Sequence, residues 1–317
     1  VVAIPGGTSG NDTLTNTTGL ADTIFGLDGH DVLVAGDAGD ALYGGGGNDF
    51  AAGGAGRDTL NGALGADTLI GGGGNDYMVA GDGDDILEGE DGADSLYGGN
   101  GADLLLGGIG NDLLNAGADT AADVIDAGAG DDTAQGSAGA NVILLGDGRD
   151  LAQAGAGDDL VAGGLGADTL VGAAGDDQLF GEDGDDSLAG GADDDTIDGG
   201  TGADILQGQA GDDVLIGGED GDAIDGGTGN DLLFGGAGPD VFYLLPEAGF
   251  FDIILDFSGD LTGDGDDLVV GSLALRDALV ASATGDATQT LMSADDVTVL
   301  LVGVDVATVT NEWFLIG

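Results

Sequence analysis

The sequence predicts an all-β chain: a parallel β-roll, that is a solenoid of short strands, closed by a C-terminal β-strand cap. Three observations carry this. A nine-residue pattern, G-G-x-G-x-D-x-U-x with U a large apolar residue, recurs in 26 units between about residues 7 and 243. Glycine supplies 71 of the 317 residues, about three times its usual share. Acidic residues number 61 against three arginines and no lysine, a formal charge of −58.

The repeat organises everything else. Its aspartate stands at Asp12 and Asp22. It then falls every nine residues at Asp31, Asp40, Asp49, Asp58, Asp67, Asp76, Asp85, Asp94, Asp103 and Asp112. After a two-residue insertion around Ala118 to Ala122 it resumes at Asp123 and Asp132, and Asn141 fills the one slot that lacks it. The series continues through Asp150, Asp159, Asp168, Asp177, Asp186, Asp195, Asp204, Asp213, Asp222, Asp231 and Asp240. Two residues after each comes U, for example Leu33, Leu60 and Leu105; only Ala51, Ala134 and Ala152 are small. One apolar side chain in nine does not suit a helix stripe, which needs three or four per two turns. It suits a three-residue strand, x-U-x, joined by a six-residue glycine-rich turn. Two units then make one 18-residue coil, so odd and even units build two parallel sheets whose U residues meet in a thin core.

After Asp240 the nines stop. Val241-Phe242-Tyr243-Leu244-Leu245 leads into Phe251-Asp252-Ile253-Ile254-Leu255-Asp256-Phe257, Ser258-Gly259-Asp260 and Gly265-Asp266-Asp267-Leu268-Val269. Beyond Leu268, longer alternating runs such as Val297 to Val302 read as ordinary strands. The expected organisation is therefore a roll over residues 1–243 and a cap over 244–317, which hides the solenoid's open end.

Composition excludes several functions. A polyanion with only Arg57, Arg149 and Arg276 as cations repels nucleic-acid phosphates and anionic lipids, so no nucleic-acid partner is expected. No apolar run approaches the ~20 residues a transmembrane helix needs, and Val1 to Pro5 contains no basic leader. Cysteine is absent, which removes disulfides, thiolate metal sites and thiol catalysis. His30 is the only histidine, so H-E-x-x-H is impossible; it reads as a turn residue in the slot before Asp31. G-x-S-x-G is absent too, and no catalytic residues are assigned.

A self-repelling chain with 42% hydrophobic residues needs bound cations to fold. A hard divalent ion takes six to eight oxygens, several of which can be backbone carbonyls. The aspartates supply charge, and glycines let the turn point carbonyls inward. The run G-G-x-G-[ND]-D-x-L-x closely resembles the calcium-binding nonapeptide repeat of RTX proteins, over about three quarters of the chain. That resemblance implies Ca2+ ions between successive turns on one edge, each taking two aspartates 18 residues apart. Asp49 would then pair with Asp67 and Asp58 with Asp76. The carbonyls of Gly45 and Gly47, Gly54 and Gly56, Gly72 and Gly74, Gly99 and Gly101, Gly108 and Gly110, Gly164 and Gly166, Gly200 and Gly202, and Gly227 and Gly229 would complete the shells. Up to about 24 ions would offset all but about 10 of the negative charges. Missing or altered ions are expected near Ala38, Asn141, Asp193, Asp220 and the inserted loop. Further acids in the turns, such as Asp82, Asp84, Asp183 and Asp185, serve either solvation or ion holding.

The segment after Asp240 is similar to the C-terminal region of serralysin-type RTX proteins. This implies Asp252 and Asp256 as further ligands, although three residues separate them here. The end, Trp313-Phe314-Leu315-Ile316, resembles the uncleaved signal of the bacterial type I exporter. Together these imply a secreted or cell-surface calcium-binding structural protein that folds outside the cell and assembles into a layer, matrix or filament. The alternative is a calcium-dependent folding and secretion module of a larger exported enzyme or adhesin. A natural product of about 30 kDa would favour the first. Large apolar residues fill 16 of 26 outward slots on the odd-unit sheet against 11 of 26 on the even-unit sheet. Self-association is therefore expected through the odd face, with the roll end at Val1 to Thr15 as a second contact.

Overall fold

The computed structural model describes residues 6–16, 19–244, 251–256, 266–270, 284–286, 289–294, 297–302 and 314–316. Val1 to Pro5, Leu245, Phe257, Ser258, Gly259, Asp260, Gly265, Arg276 and Trp313, singled out above, lie outside these. Every regular element among the described residues is a strand. The chain divides into two compact units, 1–164 and 165–317.

In the first unit, odd and even repeats alternate between two parallel sheets, as expected. The odd-unit strands Thr13–Thr15, Val32–Val34, Phe50–Ala55, Thr68–Gly73, Ile86–Asp91, Leu104–Ile109, Val124–Ala129 and Val142–Asp147 pair in that order. The even-unit strands run likewise from Thr23–Asp28 through Ser95–Asn100 to Leu151–Ala156. Register is set by the repeat itself: Leu42 pairs with Leu60, and Leu105 with Leu87 and Ile125. A one-residue slip would turn every U outward.

Most strands are six residues long rather than three, because the ladder continues through the glycines that follow U. Each unit from Asp22 onward buries three side-chain positions: the aspartate, U and the residue two beyond U. Asp58, Leu60 and Gly62 form one such set. U residues such as Leu33, Leu60, Leu105 and Ile143 are fully buried and make the two facing rows of the core. The strands Val32–Val34 and Thr133–Gln135 stay short; each precedes an irregular turn, at Ala38 and Asn141.

The second unit repeats the arrangement and then closes it. Odd-unit strands run from Gln178–Asp183 to Leu232–Ala237, then to Asp252–Ile254 and Val297–Val302, all parallel. Gln289–Ala294 and Thr284–Asp286 complete this edge in antiparallel fashion. Even-unit strands run from Thr169–Ala174 to Val241–Leu244, Asp267–Val270 and Phe314–Ile316. The cap strands thus extend both sheets of the roll, with Ile254, Leu268, Val299 and Leu301 buried between them.

Candidate metal centre

The repeat aspartates from Asp31 to Asp240 all point inward, with exposures of 5% or less. Their backbones and carboxylates form a ladder along each edge. Within each unit most of their N–H groups donate to Oδ1 of the aspartate one coil on: Asp49 to Asp67 at 2.7 Å, Asp58 to Asp76 at 2.8 Å, Asp195 to Asp213 at 2.8 Å. The insertion leaves this intact, since Asp103 reaches Asp123 at 2.9 Å and Asp112 reaches Asp132 at 2.7 Å.

Oδ1 is therefore spoken for, and it fixes where Oδ2 points. The buried Oδ2 atoms of Asp49, Asp58, Asp67, Asp76, Asp85, Asp94, Asp103, Asp186, Asp204 and Asp213, among others, meet no hydrogen-bond donor. Except at Asp85, which Ala80 precedes by five, each lies against the glycine five residues earlier. A Cβ on Gly53 would stand 2.4 Å from Asp58 Oδ2 and 2.8 Å from the Gly71 carbonyl oxygen. A Cβ on Gly208 would stand 2.3 Å from both Asp213 Oδ2 and the Gly226 carbonyl oxygen. Carboxylate and carbonyl oxygens thus face one buried space, and no donor of the protein meets the carboxylate oxygen there. Oxygen pairs of this kind repel unless a cation or an added proton intervenes.

The carboxyls respond accordingly. Burial pushes Asp58, Asp67, Asp103 and Asp132 up to about 7 and Asp76 and Asp112 up to about 6, against an ordinary 3.8. In the second unit Asp195, Asp213 and Asp222 reach about 7 and Asp186 and Asp240 about 6, again through burial. The ladder N–H opposes this rise, and neighbouring carboxylates on the same edge add to it in most of these rungs.

All sixteen turn glycines named above have positive φ. Gly45 (φ 118°) and Gly47 (φ 119°) show why: a Cβ there would lie 1.9 Å from the Leu27 carbonyl oxygen and 2.0 Å from that of Gly29. Stacked coils thus bring backbone carbonyls against each turn. Among the described residues no three acidic or histidine side chains converge on one point. A cation here has to draw on backbone carbonyls, as an oxygen-only shell for Ca2+ readily does. The donor set fits a hard divalent ion.

The irregular rungs separate into two kinds. Asp193 (φ 79°) and Asp220 (φ 77°) hold the left-handed conformation of the glycines they replace, so those turns keep their shape. The turns at Ala38 and Asn141 do not. Asp40 Oδ2 there accepts the Gly36 N–H at 3.3 Å, and the Asn141 amide is bonded within its own turn. At the first rungs, Thr8 N–H meets Asp12 Oδ2 at 2.5 Å, and the Asn16 amide donates to Asp22 Oδ2.

Beyond the repeat, the Asp231 N–H donates to Asp252 Oδ1 at 3.2 Å, so Asp252 takes the next place on the odd edge. Asp256 instead accepts the N–H groups of Gly235 and Gly236 at 2.9 and 2.8 Å. Asp266 continues the even edge, accepting the Asp240 N–H at 3.1 Å. Sequence reading passed over it because it stands 26 residues on, outside any period. A second, outer ladder was also missed. Side chains in the slot before the aspartate accept N–H groups one coil on: Asn48 from Ala66, Asp84 from Ala102, Asp212 from Asn230. His30 Nδ1 accepts the Asn48 N–H at 2.7 Å in the same way. The repeated Asn and Asp in that slot were the available signal.

A profile described as RTX calcium-binding nonapeptide repeat (4 copies) matches residues 16–51, 43–78, 52–87, 79–114, 117–152, 144–179, 153–188, 171–206, 189–224 and 207–242. The chain belongs to this RTX family. RTX nonapeptide repeats bind calcium ions, and their proteins are typically secreted. No curated protein sequence matches the RTX chain. Among solved structures it is similar to the extracellular lipase LipA from Serratia marcescens: 18% identity over 63% of this chain and 40% of the lipase, TM-score 0.32. It is also similar to the AlgE6R3 subunit of the Azotobacter vinelandii mannuronan C5-epimerase: 25% identity over 50% of this chain and 77% of that one, TM-score 0.20. The RTX chain thus spans well under half of the lipase.

Proposed function

We propose that this RTX chain is a secreted structural module whose two aspartate ladders load calcium and thereby fold it outside the producing cell. The observation that carries the reading is the buried Oδ2 of aspartates such as Asp58, Asp67 and Asp213, which no donor of the protein meets. The ligands are the repeat aspartates from Asp31 to Asp240, continued by Asp252, with carbonyls of the turn glycines. Asp256, whose two oxygens already accept the Gly235 and Gly236 N–H groups, is the weakest of the expected ligands. About 24 ions would neutralise most of the charge. Native mass spectrometry of the chain in calcium tests this; a folded chain carrying only one or two ions contradicts it.

Residues 1–243 carry the ions, and 244–317 form the cap with its export signal. A reporter fused to 244–317 should leave a cell equipped with a type I exporter, and retention of the fusion counts against the signal. Assembly proceeds through a second copy packed on the odd-unit sheet, where Val32, Ile86, Val124 and Leu144 remain 37–41% exposed. Light scattering in calcium should show association that Leu104→Ser and Leu144→Ser weaken. A natural chain that stays monomeric at high concentration rules assembly out.

A further inference from the structure

Two irregularities that look unrelated in the sequence, the insertion around Ala118 to Ala122 and the lone Asn141, stand in adjacent coils of one edge. The Asp123 N–H donates to Asn141 Oδ1 at 3.1 Å, and the Asn141 N–H donates to Asp159 Oδ1 at 2.6 Å. Asn141 therefore performs the backbone half of a repeat aspartate's task. Its other half differs. Asn141 Nδ2 donates to the Gly139 carbonyl at 2.8 Å and the Ala154 carbonyl at 3.3 Å. Ala154 stands 13 residues beyond Asn141, as Gly71 stands beyond Asp58. A Cβ on Gly136 would meet the Ala154 carbonyl oxygen and Asn141 Nδ2, where one on Gly53 would meet the Gly71 oxygen and Asp58 Oδ2.

The surroundings hold the amide in this orientation. Oδ1 is taken by the Asp123 N–H, which leaves the amide protons facing the carbonyls. Ser137 Oγ lies 3.0 Å from Asn141 Oδ1 and 2.9 Å from the carbonyl of Ala121 in the insertion, and it accepts the Gly139 N–H at 3.3 Å. None of residues 136–139 has the positive φ found in regular turns. We propose that the Asn141 side-chain amide takes the place of a calcium ion, so that this rung is permanently ion-free and interrupts the ion ladder on its edge. The inference rests on the calcium reading above. An amide N–H supplies to the carbonyls the positive partner that the cation supplies elsewhere, without adding charge. The inserted loop provides the Ala121 carbonyl that anchors Ser137.

Native mass spectrometry of the full chain at fixed free calcium decides between the possibilities, with circular dichroism as the check on folding. Asn141→Asp should bind at least one more ion than the natural chain, and Asn141→Ala should leave the count unchanged. A fall in the count for Asn141→Ala shows that Asn141 is a ligand and overturns the proposal. So does an Asn141→Asp chain that folds without gaining an ion, or that stays unfolded in calcium that folds the natural chain. Asp67→Asn, measured beside them, should lose at least one ion. If it loses none, the calcium reading of the ladder has failed instead, and the two failures are distinct.

Discussion

At Asp67 one carboxylate oxygen accepts the Asp49 N–H at 2.7 Å while the other, buried, meets no donor of the protein. Asp67→Ala should therefore act twice. It leaves a buried N–H unsatisfied, which costs about 1–3 kcal/mol, and it removes a calcium ligand. Denaturation in saturating calcium together with an ion count checks this, and an unchanged count contradicts shared ligation. Gly45→Ala is a purely steric test: the φ of 118° and the Leu27 carbonyl beneath it should make the variant less stable by more than ~1 kcal/mol. The positions of the aspartates were legible in the sequence because strict spacing places them on common edges. The division of labour between Oδ1 and Oδ2 was not, because it depends on which backbone N–H the next coil presents. Nor were Asp266, which follows no period, or the amide contacts of Asn141, which only the stacked carbonyls of Gly139 and Ala154 reveal.

Strands of this roll are held by what they bury and by their neighbours in the sheet. Leu105, fully buried between Leu87 and Ile125, should lose about 2–5 kcal/mol as Leu105→Ala. Leu144→Ser, at a position 41% exposed, should change stability by less than about 1 kcal/mol. Comparable losses for the two would contradict the inward assignment of U. The alternation of odd and even units between two sheets could be read directly from the parity of the repeat. Strand length could not: the six-residue strands arise because Gly62 and its equivalents pack under the aspartates and continue the pairing, a tertiary effect. The cap was legible as strands, but its parallel pairing onto the roll, Ile253 beside Leu232 and Leu300, rests on contacts distant in sequence. Outward apolar residues also proved less one-sided than counting suggested. Phe25 and Tyr43, stacked at 4.9 Å on the even-unit sheet, are as exposed as the odd-sheet aliphatics.

Across the whole molecule, burying so many carboxylates opposes folding. With folded values of about 6 to 7 against 3.8, aspartates such as Asp67, Asp103 and Asp213 bind more protons folded than unfolded between about pH 4 and 7. Without metal, stability must then fall as pH rises through that window, because ionised carboxylates are buried unpaired. In excess chelator, structure should therefore increase on acidification from pH 7 toward 4; a signal that weakens instead contradicts the burial argument. At neutral pH protonation relieves the formal charge of −58 only in part, and bound cations would offset the rest. On the function proposed above, calcium binding and folding form one equilibrium. Circular dichroism of the whole chain at pH 7.5, titrated with calcium and then returned to excess chelator, tests it most directly. The chain should start expanded, gain β structure cooperatively at roughly 10⁻⁴ to 10⁻³ M calcium and lose it again in chelator. A full β spectrum that persists in excess chelator would contradict it.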